Sequence, residues 1–519
     1  MRGLNQVWRA LDQARAINLA VAGEPPALAQ GEGISRRRVL AALAGGIGAA
    51  TLPRWPAFAS EPLRVAIVGG GLAGLSALDT LRARGVEASL YEARAAAGGR
   101  TRSVRGVFAP DFAFDEGAQL VNSDHEDLLR LIRRFGLGLV DRRAYGETHE
   151  IQIGRDGGAE SEAALAASLL GIAGHITADS DRLDRDYETV ARELDPLSVK
   201  AYLDRHGLPP GGARNALEAT IRTEYGVEPE EASALELLFN LPTVDGERVS
   251  RISASDERYL IDGGTDQVAK ALAAEHRAHI QFNRRLTALD LTGPAPRLAF
   301  ADGTHTIADR VILALPAPLL REVRIEGPLP PLWRALIAEA RLGRNEKLIV
   351  GYDAQPWRNL PGFAGAIWST RHFSAIWDAA SQAPSPAPSS GALCYFLGGN
   401  QVEAAAAVPT AELAARFSNA ARRVLPNLPA PNGRVRRTRW CDEPLTRGAY
   451  VNFRPGQLTR FGSLLTVEED GRARASQAGP LLFAGEWLSD AWPGYMNGAL
   501  QTGRIAAEAA VAPAQALAA

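Results

Sequence analysis

Hydrophobic positions along the chain fall into two rhythms. Short apolar runs occur at residues 63–68 (LRVAIV), 86–92 (VEASLYE), 308–316 (ADRVILALP) and 479–483 (GPLLF). Runs of this length, bounded by glycine or proline, read as strands, and the first reads as a buried strand of a parallel sheet. A helical period follows the first run (LSALDTLRARG, 75–85) and closes the chain at 498–511. It recurs in the middle, in RNALEATIRTEYG (214–226) and EEASALELLF (230–239). A further strand, NEKLIVGY (345–352), alternates before turning apolar, and the Pro/Ser-rich stretch 382–390 reads as an exposed loop. Strands interleaved with helices predict an α/β protein. No internal repeat is visible. At 519 residues, two or more lobes are expected, because single cores stop growing well below that size.

The link between the first strand and its helix carries chemistry. Gly69, Gly71 and Gly74 form GxGxxG, with Leu72 and Ala73 opening the helix. Gly69 serves the tight turn, Gly71 the close approach of backbone to a pyrophosphate, and Gly74 the packing of helix on strand. The helix N-terminus then faces the anion. The next strand ends in Glu92, eighteen residues past Gly74, where an acid accepts hydrogen bonds from a ribose diol. Strand, glycines, helix, strand and acid in register point to a dinucleotide.

The residues beyond this unit narrow the dinucleotide. Glu92, Ala93 and Arg94 lead to Gly98-Gly99-Arg100-Thr101 and then to Asp115-Glu116-Gly117-Ala118-Gln119-Leu120. Near the other end come Ala484-Gly485-Glu486 and Trp492-Pro493-Gly494-Tyr495-Met496-Asn497-Gly498-Ala499. Together these resemble the GGR extension and the closing segment of the flavin amine oxidase family, with anchors between them at 259–265, at Leu286 within 282–286, and at 308–316. The resemblance spans about residues 62–511. It implies a Rossmann-like FAD-binding domain assembled from about 61–140, 256–315 and 440–511, and an α+β substrate-binding domain from 141–255 and 316–439. Cofactor contacts are then expected from Gly69, Gly71, Leu72, Ala73, Gly74, Glu92, Ala93, Arg94, Gly99, Arg100, Gly117, Ala118, Gln119, Leu120, Leu286, Trp440, Gly485, Glu486, Tyr495, Met496 and Ala499.

Three positions are expected to act on substrate. Of 57 basic residues only Lys200, Lys270 and Lys347 are lysine, and Lys347 stands where the family keeps one to hold a water near flavin N5. Tyr450 and Tyr495 match the family's two cage tyrosines. Ring faces there can hold an amine and aim its α C–H. Ala449 precedes Tyr450 where members with covalent flavin carry cysteine, so noncovalent FAD is expected. L-Amino-acid oxidases on this frame carry arginine where this chain has Leu120, and leucine cannot clamp a carboxylate. The expected activity is therefore oxidation of an amine lacking an α-carboxylate to an imine, with electrons passing to oxygen or another acceptor. An L-amino-acid oxidase, a desaturase or porphyrinogen-type oxidase, and a nonenzymatic flavin electron carrier remain as alternatives.

Composition adds limits. A net charge of -2 shows no nucleic-acid footprint, and two cysteines, Cys394 and Cys441, cannot form a disulfide framework or multi-cysteine metal site. No run of about 18 apolar residues predicts stable membrane insertion. Ahead of the first strand, Ser35-Arg36-Arg37-Arg38, a mild apolar stretch over 39–52 and Ala57-Phe58-Ala59 have the order of a twin-arginine export signal. Residues 1–59 are thus expected to be a signal region, and the protein periplasmic. Cutting after Ala59 would take the net charge from -2 to -6. The implied partners are a small-molecule amine, oxygen or a periplasmic electron carrier, and a second copy of the chain.

Overall fold

A computed structural model describes residues 62–142, 152–155, 158–239, 243–245, 248–250, 257–359, 366–369, 372–381, 390–469 and 471–512. It also describes residues 10, 11, 13, 14, 16–18, 20 and 21 of a short N-terminal helix. The export signature at 35–59 and nearly all of the Pro/Ser-rich stretch lie outside the described residues.

The first apolar run forms β1 (Arg64–Val68), the helical run α1 (Leu72–Ala83) and the next strand β2 (Glu87–Tyr91). β1 lies at the middle of a six-stranded sheet, parallel to β2 on one side and to Arg310–Leu313 on the other. Ile280–Gln281 extends the sheet beyond β2. Leu481–Phe483 extends it in parallel beyond Arg310–Leu313, and Ser476–Ala478 closes that edge antiparallel. Because the chain leaves β1 for β2 while a distant strand flanks the other side, the carboxyl end of β1 is a topological switch point. Crevices for ligands open there. Four of the five β1 residues are buried, as expected for a strand covered on both faces. One cover is α1 together with the C-terminal helix Met496–Ala510, tied by Ser76 Oγ donating to Leu500 O at 2.8 Å.

A seven-stranded sheet builds the second half, in the order Val435–Arg437, Asn345–Tyr352, Gly391–Gly398, Ala375–Asp378, Ala366–Ser369, Gln152–Arg155, Gly158–Glu160. Asn345–Tyr352 and Gly391–Gly398 pair antiparallel over their whole length and are buried throughout. Full burial explains the apolar run Leu348–Tyr352 of the first, and it also takes in Asn345, Glu346 and Lys347. Five helices over 162–239 belong to the same half. Their starts are written locally: Ser161 Oγ accepts the Ala164 N–H and Ser198 Oγ that of Ala201. One apolar core runs from these helices to Val68, Tyr91 and Leu313 of the first sheet, so the two halves share an interior.

The N-terminal helix packs on this second half. Ala10 and Ala14 are fully buried in that core, and Asn18 Nδ2 donates to Leu170 O on helix Glu162–Arg185 at 3.2 Å. Among the described residues, no helix is long and apolar enough to cross a membrane.

Candidate active site

The carboxyl end of β1 opens into a cavity of about 1450 Å³. Its lining, with the glycine turn after β1, Glu92 at the end of β2 and Arg100, suits a dinucleotide. At its floor, no atom lies within 4 Å of where a Cβ on Gly71 would stand, leaving the backbone open to close approach by a phosphate. Gly74, one helical turn on, does not line the cavity. A Cβ there would overlap the carbonyl of Gly69, so this glycine serves helix–strand packing. α1 begins with no side-chain cap and no acid in its first turn, which leaves its N–H groups and dipole for an anion.

Glu92 is buried at the end of β2 and binds its own loop. Its Oε2 accepts the Gly70 N–H at 2.6 Å and its Oε1 the Arg94 N–H at 2.7 Å. A carboxylate has further lone pairs, so it can still accept from a ribose diol. Arg100 reaches across to Glu486 (Nη1 to Oε1, 2.6 Å), joining the GGR turn to the closing segment. Trp440 lies under the Arg102 guanidinium, 4.5 Å from the ring centroid, and donates from Nε1 to Glu116 O at 3.0 Å. These observations fit FAD: a bare glycine floor, an acid at the strand end, an arginine on the phosphate side, and a second helix, Met496–Ala510, whose uncapped N-terminus starts at the cavity wall.

All the expected cofactor residues line this cavity except Gly74, Gln119 and Leu120. Gln119 and Leu120 line an adjoining chamber of about 760 Å³. Lys347, Tyr450, Tyr495, Met496, Gly117 and Ala118 line both spaces, so the chamber opens where the cofactor cavity ends. The structure thus brings the lysine and both tyrosines together at one junction.

Lys347 is 4 % exposed, a core residue of its strand. Its ammonium donates to Asp115 O (2.9 Å), Gly117 O (2.8 Å) and Gln119 Oε1 (3.2 Å). Burial holds its proton affinity below that of an ordinary lysine, while the facing Cys394, Asp115 and Glu116 push the other way. Tyr450 has its phenol proton held firmly, first by burial and then by the carboxylate of Glu224. Behind Tyr495 stands His125, fully buried, its ring 5.1 Å from Tyr495 at 68° and 5.1 Å from Trp492 at 82°.

Three residues lining the chamber, Arg142, Glu257 and Trp377, gave no signal in the sequence, and neither did His125 behind Tyr495. Arg142 and Glu257 are both buried and both line the chamber. Glu257 adopts φ 43°, a left-handed conformation costly for a non-glycine residue. Asn122 Oδ1 fixes its N–H at 3.0 Å, and Arg142 Nη1 its carbonyl at 2.8 Å. No local pattern could have flagged these two, because they meet across 115 positions of chain.

A cavity suited to a dinucleotide, joined to a chamber lined by Tyr450 and Tyr495, is an arrangement that a flavoprotein acting on small molecules can use. Residues 72–511 match the model of the flavin containing amine oxidoreductases, and the chain belongs to that family. It is 25% identical over 467 residues to the flavin-containing amine oxidase of Oncorhynchus mykiss, covering 86% of each chain. Wild-type putrescine oxidase bound to putrescine superposes with a TM-score of 0.71 at 21% identity, over 87% of this chain and 100% of that one. Cyclohexylamine oxidase from Brevibacterium oxydans IH-35A superposes with a TM-score of 0.69 at 21% identity, over 87% and 99%. The protein is therefore an FAD-dependent enzyme that oxidises amines to imines, which water hydrolyses to aldehyde or ketone.

Proposed function

We propose that the substrate is an amine without an α-carboxylate, that FAD is held noncovalently, and that oxygen takes the electrons. The observation that carries this reading is the junction at which Tyr450, Tyr495 and Lys347 meet between cavity and chamber. When bound, the flavin supplies the two-electron oxidation of the C–N bond. Tyr450 and Tyr495 hold the amine by its alkyl groups and orient its α C–H toward the cofactor cavity. The Tyr450 phenol, held up by burial, stays protonated, and both rings exclude water. The substrate's own lone pair drives the oxidation, so no side chain is needed as base once the amine is neutral. Two electrons and two protons leave the amine, and one molecule of oxygen takes both pairs as hydrogen peroxide.

Noncovalent attachment is supported by the lining: among the described residues, no cysteine or histidine lines the cofactor cavity, and Ala449 borders it beside Tyr450. Export by the twin-arginine route completes the reading, on the order of basic, apolar and small-residue segments over 35–59. Arg36→Lys with Arg37→Lys should then trap precursor in the cytoplasm, and unchanged export would remove this part.

One observation favours a second reading. Arg142 places a buried guanidinium in the chamber, a group able to bind a substrate carboxylate that Leu120 cannot. Anaerobic titration of the flavin spectrum separates the two. Bleaching by simple amines supports the proposal, and bleaching only by amino acids replaces it with L-amino-acid oxidation. The reductive rate at low amine should also rise with pH, because only the neutral amine reacts. A rate independent of pH from about 6 to 9 would overturn the lone-pair mechanism.

A further inference from the structure

The ammonium of Lys347 is held by three acceptors of unequal kind. Two are main-chain carbonyls, Asp115 O at 2.9 Å and Gly117 O at 2.8 Å, which the fold supplies whatever the side chains. The third and longest is a side chain, Gln119 Oε1 at 3.2 Å. The same oxygen accepts from Trp377 Nε1 at 3.1 Å. Indole nitrogen and ammonium are donors only, so both demand the oxygen end of the carboxamide. The orientation of Gln119 is therefore set chemically, and turning the amide would place NH₂ against two donors. Trp377 also presents its ring to Lys347, with Nζ 5.7 Å from the centroid.

This arrangement is complete only for a protonated lysine. A neutral amine has two N–H donors for the three acceptors, and Gln119, already committed to Trp377, cannot reverse to donate to its lone pair. The other charged or titratable groups facing Lys347 are Asp115, Glu116 and Cys394. Asp115 lies beneath, fully occupied as an acceptor by Ser103 Oγ (2.5 Å), Ser381 Oγ (2.6 Å), Thr265 N (3.0 Å) and Thr265 Oγ1 (3.0 Å). Glu116 is paired with Arg102 and Arg436. The Cys394 thiol is pushed up to about 12 by burial and stays neutral. Of the acceptors on Lys347, Gln119 alone can be altered without rebuilding the backbone.

We propose that Gln119 is a positioning residue for Lys347: its carboxamide oxygen, oriented by Trp377, holds the third ammonium N–H and keeps the lysine cationic beside the flavin site. It acts through the lysine and needs no contact with substrate. A fixed positive charge at that place stabilises negative charge on the reduced cofactor and on reduced oxygen. This inference rests on the cavity being the flavin site, and is independent of which amine the enzyme oxidises.

The test is the pH dependence of the bound flavin's midpoint potential, measured by dye-coupled titration of holoenzyme with no amine and no oxygen present. Gln119→Leu removes the acceptor and should move the inflection due to Lys347 to lower pH by about one unit, the tenfold change in proton affinity typical of a hydrogen bond to a charged group. Gln119→Glu replaces the carboxamide by a near-isosteric anion and should move it to higher pH. Trp377→Phe frees the carboxamide to turn, and should shift the inflection in the same direction as Gln119→Leu but less. It carries the test if neither Gln119 variant folds. Shifts of the same sign in Gln119→Leu and Gln119→Glu, or wild-type inflections in all three variants, would overturn the proposal. A protein that binds flavin but oxidises no amine would sink the functional reading and leave this measurement intact.

Discussion

The glycine-floored cavity and the adjoining chamber meet at one wall, yet they are made in different ways. The cavity floor comes largely from one stretch, β1 through β2, in which Gly71 and Glu92 are placed by strand, turn and helix close to them in sequence. The chamber draws Gln119, Arg142, Glu257, Lys347, Trp377, Tyr450 and Tyr495 from seven separate places in the chain. Its geometry is held by side-chain contacts over long separations, such as Trp377 on Gln119 and Arg142 on Glu257. The first kind of site tolerates almost no change in backbone. The second can be retuned one side chain at a time.

The largest effect should therefore come from breaking the cavity floor. Gly74→Val places a branched side chain into the Gly69 carbonyl and should yield protein without FAD. A wild-type ratio of flavin to protein absorbance would contradict the packing argument. In the chamber, Tyr450→Ala or Tyr495→Ala should keep FAD while slowing anaerobic reduction by amine about 10- to 100-fold, the scale of losing substrate orientation. Loss of FAD instead would make the tyrosines structural, and the contrast between the two regions would fall.

Lys347→Met should act more selectively still. Reoxidation by oxygen should slow about tenfold more than reduction, the scale of removing one electrostatic stabiliser. Equal slowing of both half-reactions would take the lysine away from the acceptor side. The smallest effect concerns the N-terminal helix, whose Ala10, Leu11 and Ala14 are buried in the core it shares with helix Glu162–Arg185. A chain starting at Ser60 should melt slightly lower, by about 1 °C for each kcal/mol of lost burial at this chain length. Its FAD content should be unchanged, because the helix packs on helix Glu162–Arg185 and none of its described residues lines the cavity. A parallel loss of FAD would show the halves to be coupled through that helix.

Much of the first region was legible because its information is local. Gly69, Gly71, Glu92 and Arg100 each occupy a position defined by neighbours within about thirty residues, and such geometry leaves a spacing that can be read. Gln119 and Leu120 show where that reading stops. Adjacent to Gly117 and Ala118, they belong to the same stretch of sequence, yet they line the adjoining chamber and not the larger cavity. Lys347 was singled out as an isolated lysine, but the three oxygens that receive its protons could not be named from its own strand.

The sequence by itself determined the α/β class, the dinucleotide site and the flavin amine oxidase frame. Turn, capping and strand patterns act between near neighbours and survive in the order of residues. Only the tertiary structure decided what the chamber holds. Arg142 and Glu257 became chamber residues because distant segments fold against one another, with the left-handed backbone of Glu257 clamped from both sides. Side chains that meet across a hundred residues share no period, spacing or cap, so their meeting is written in packing alone.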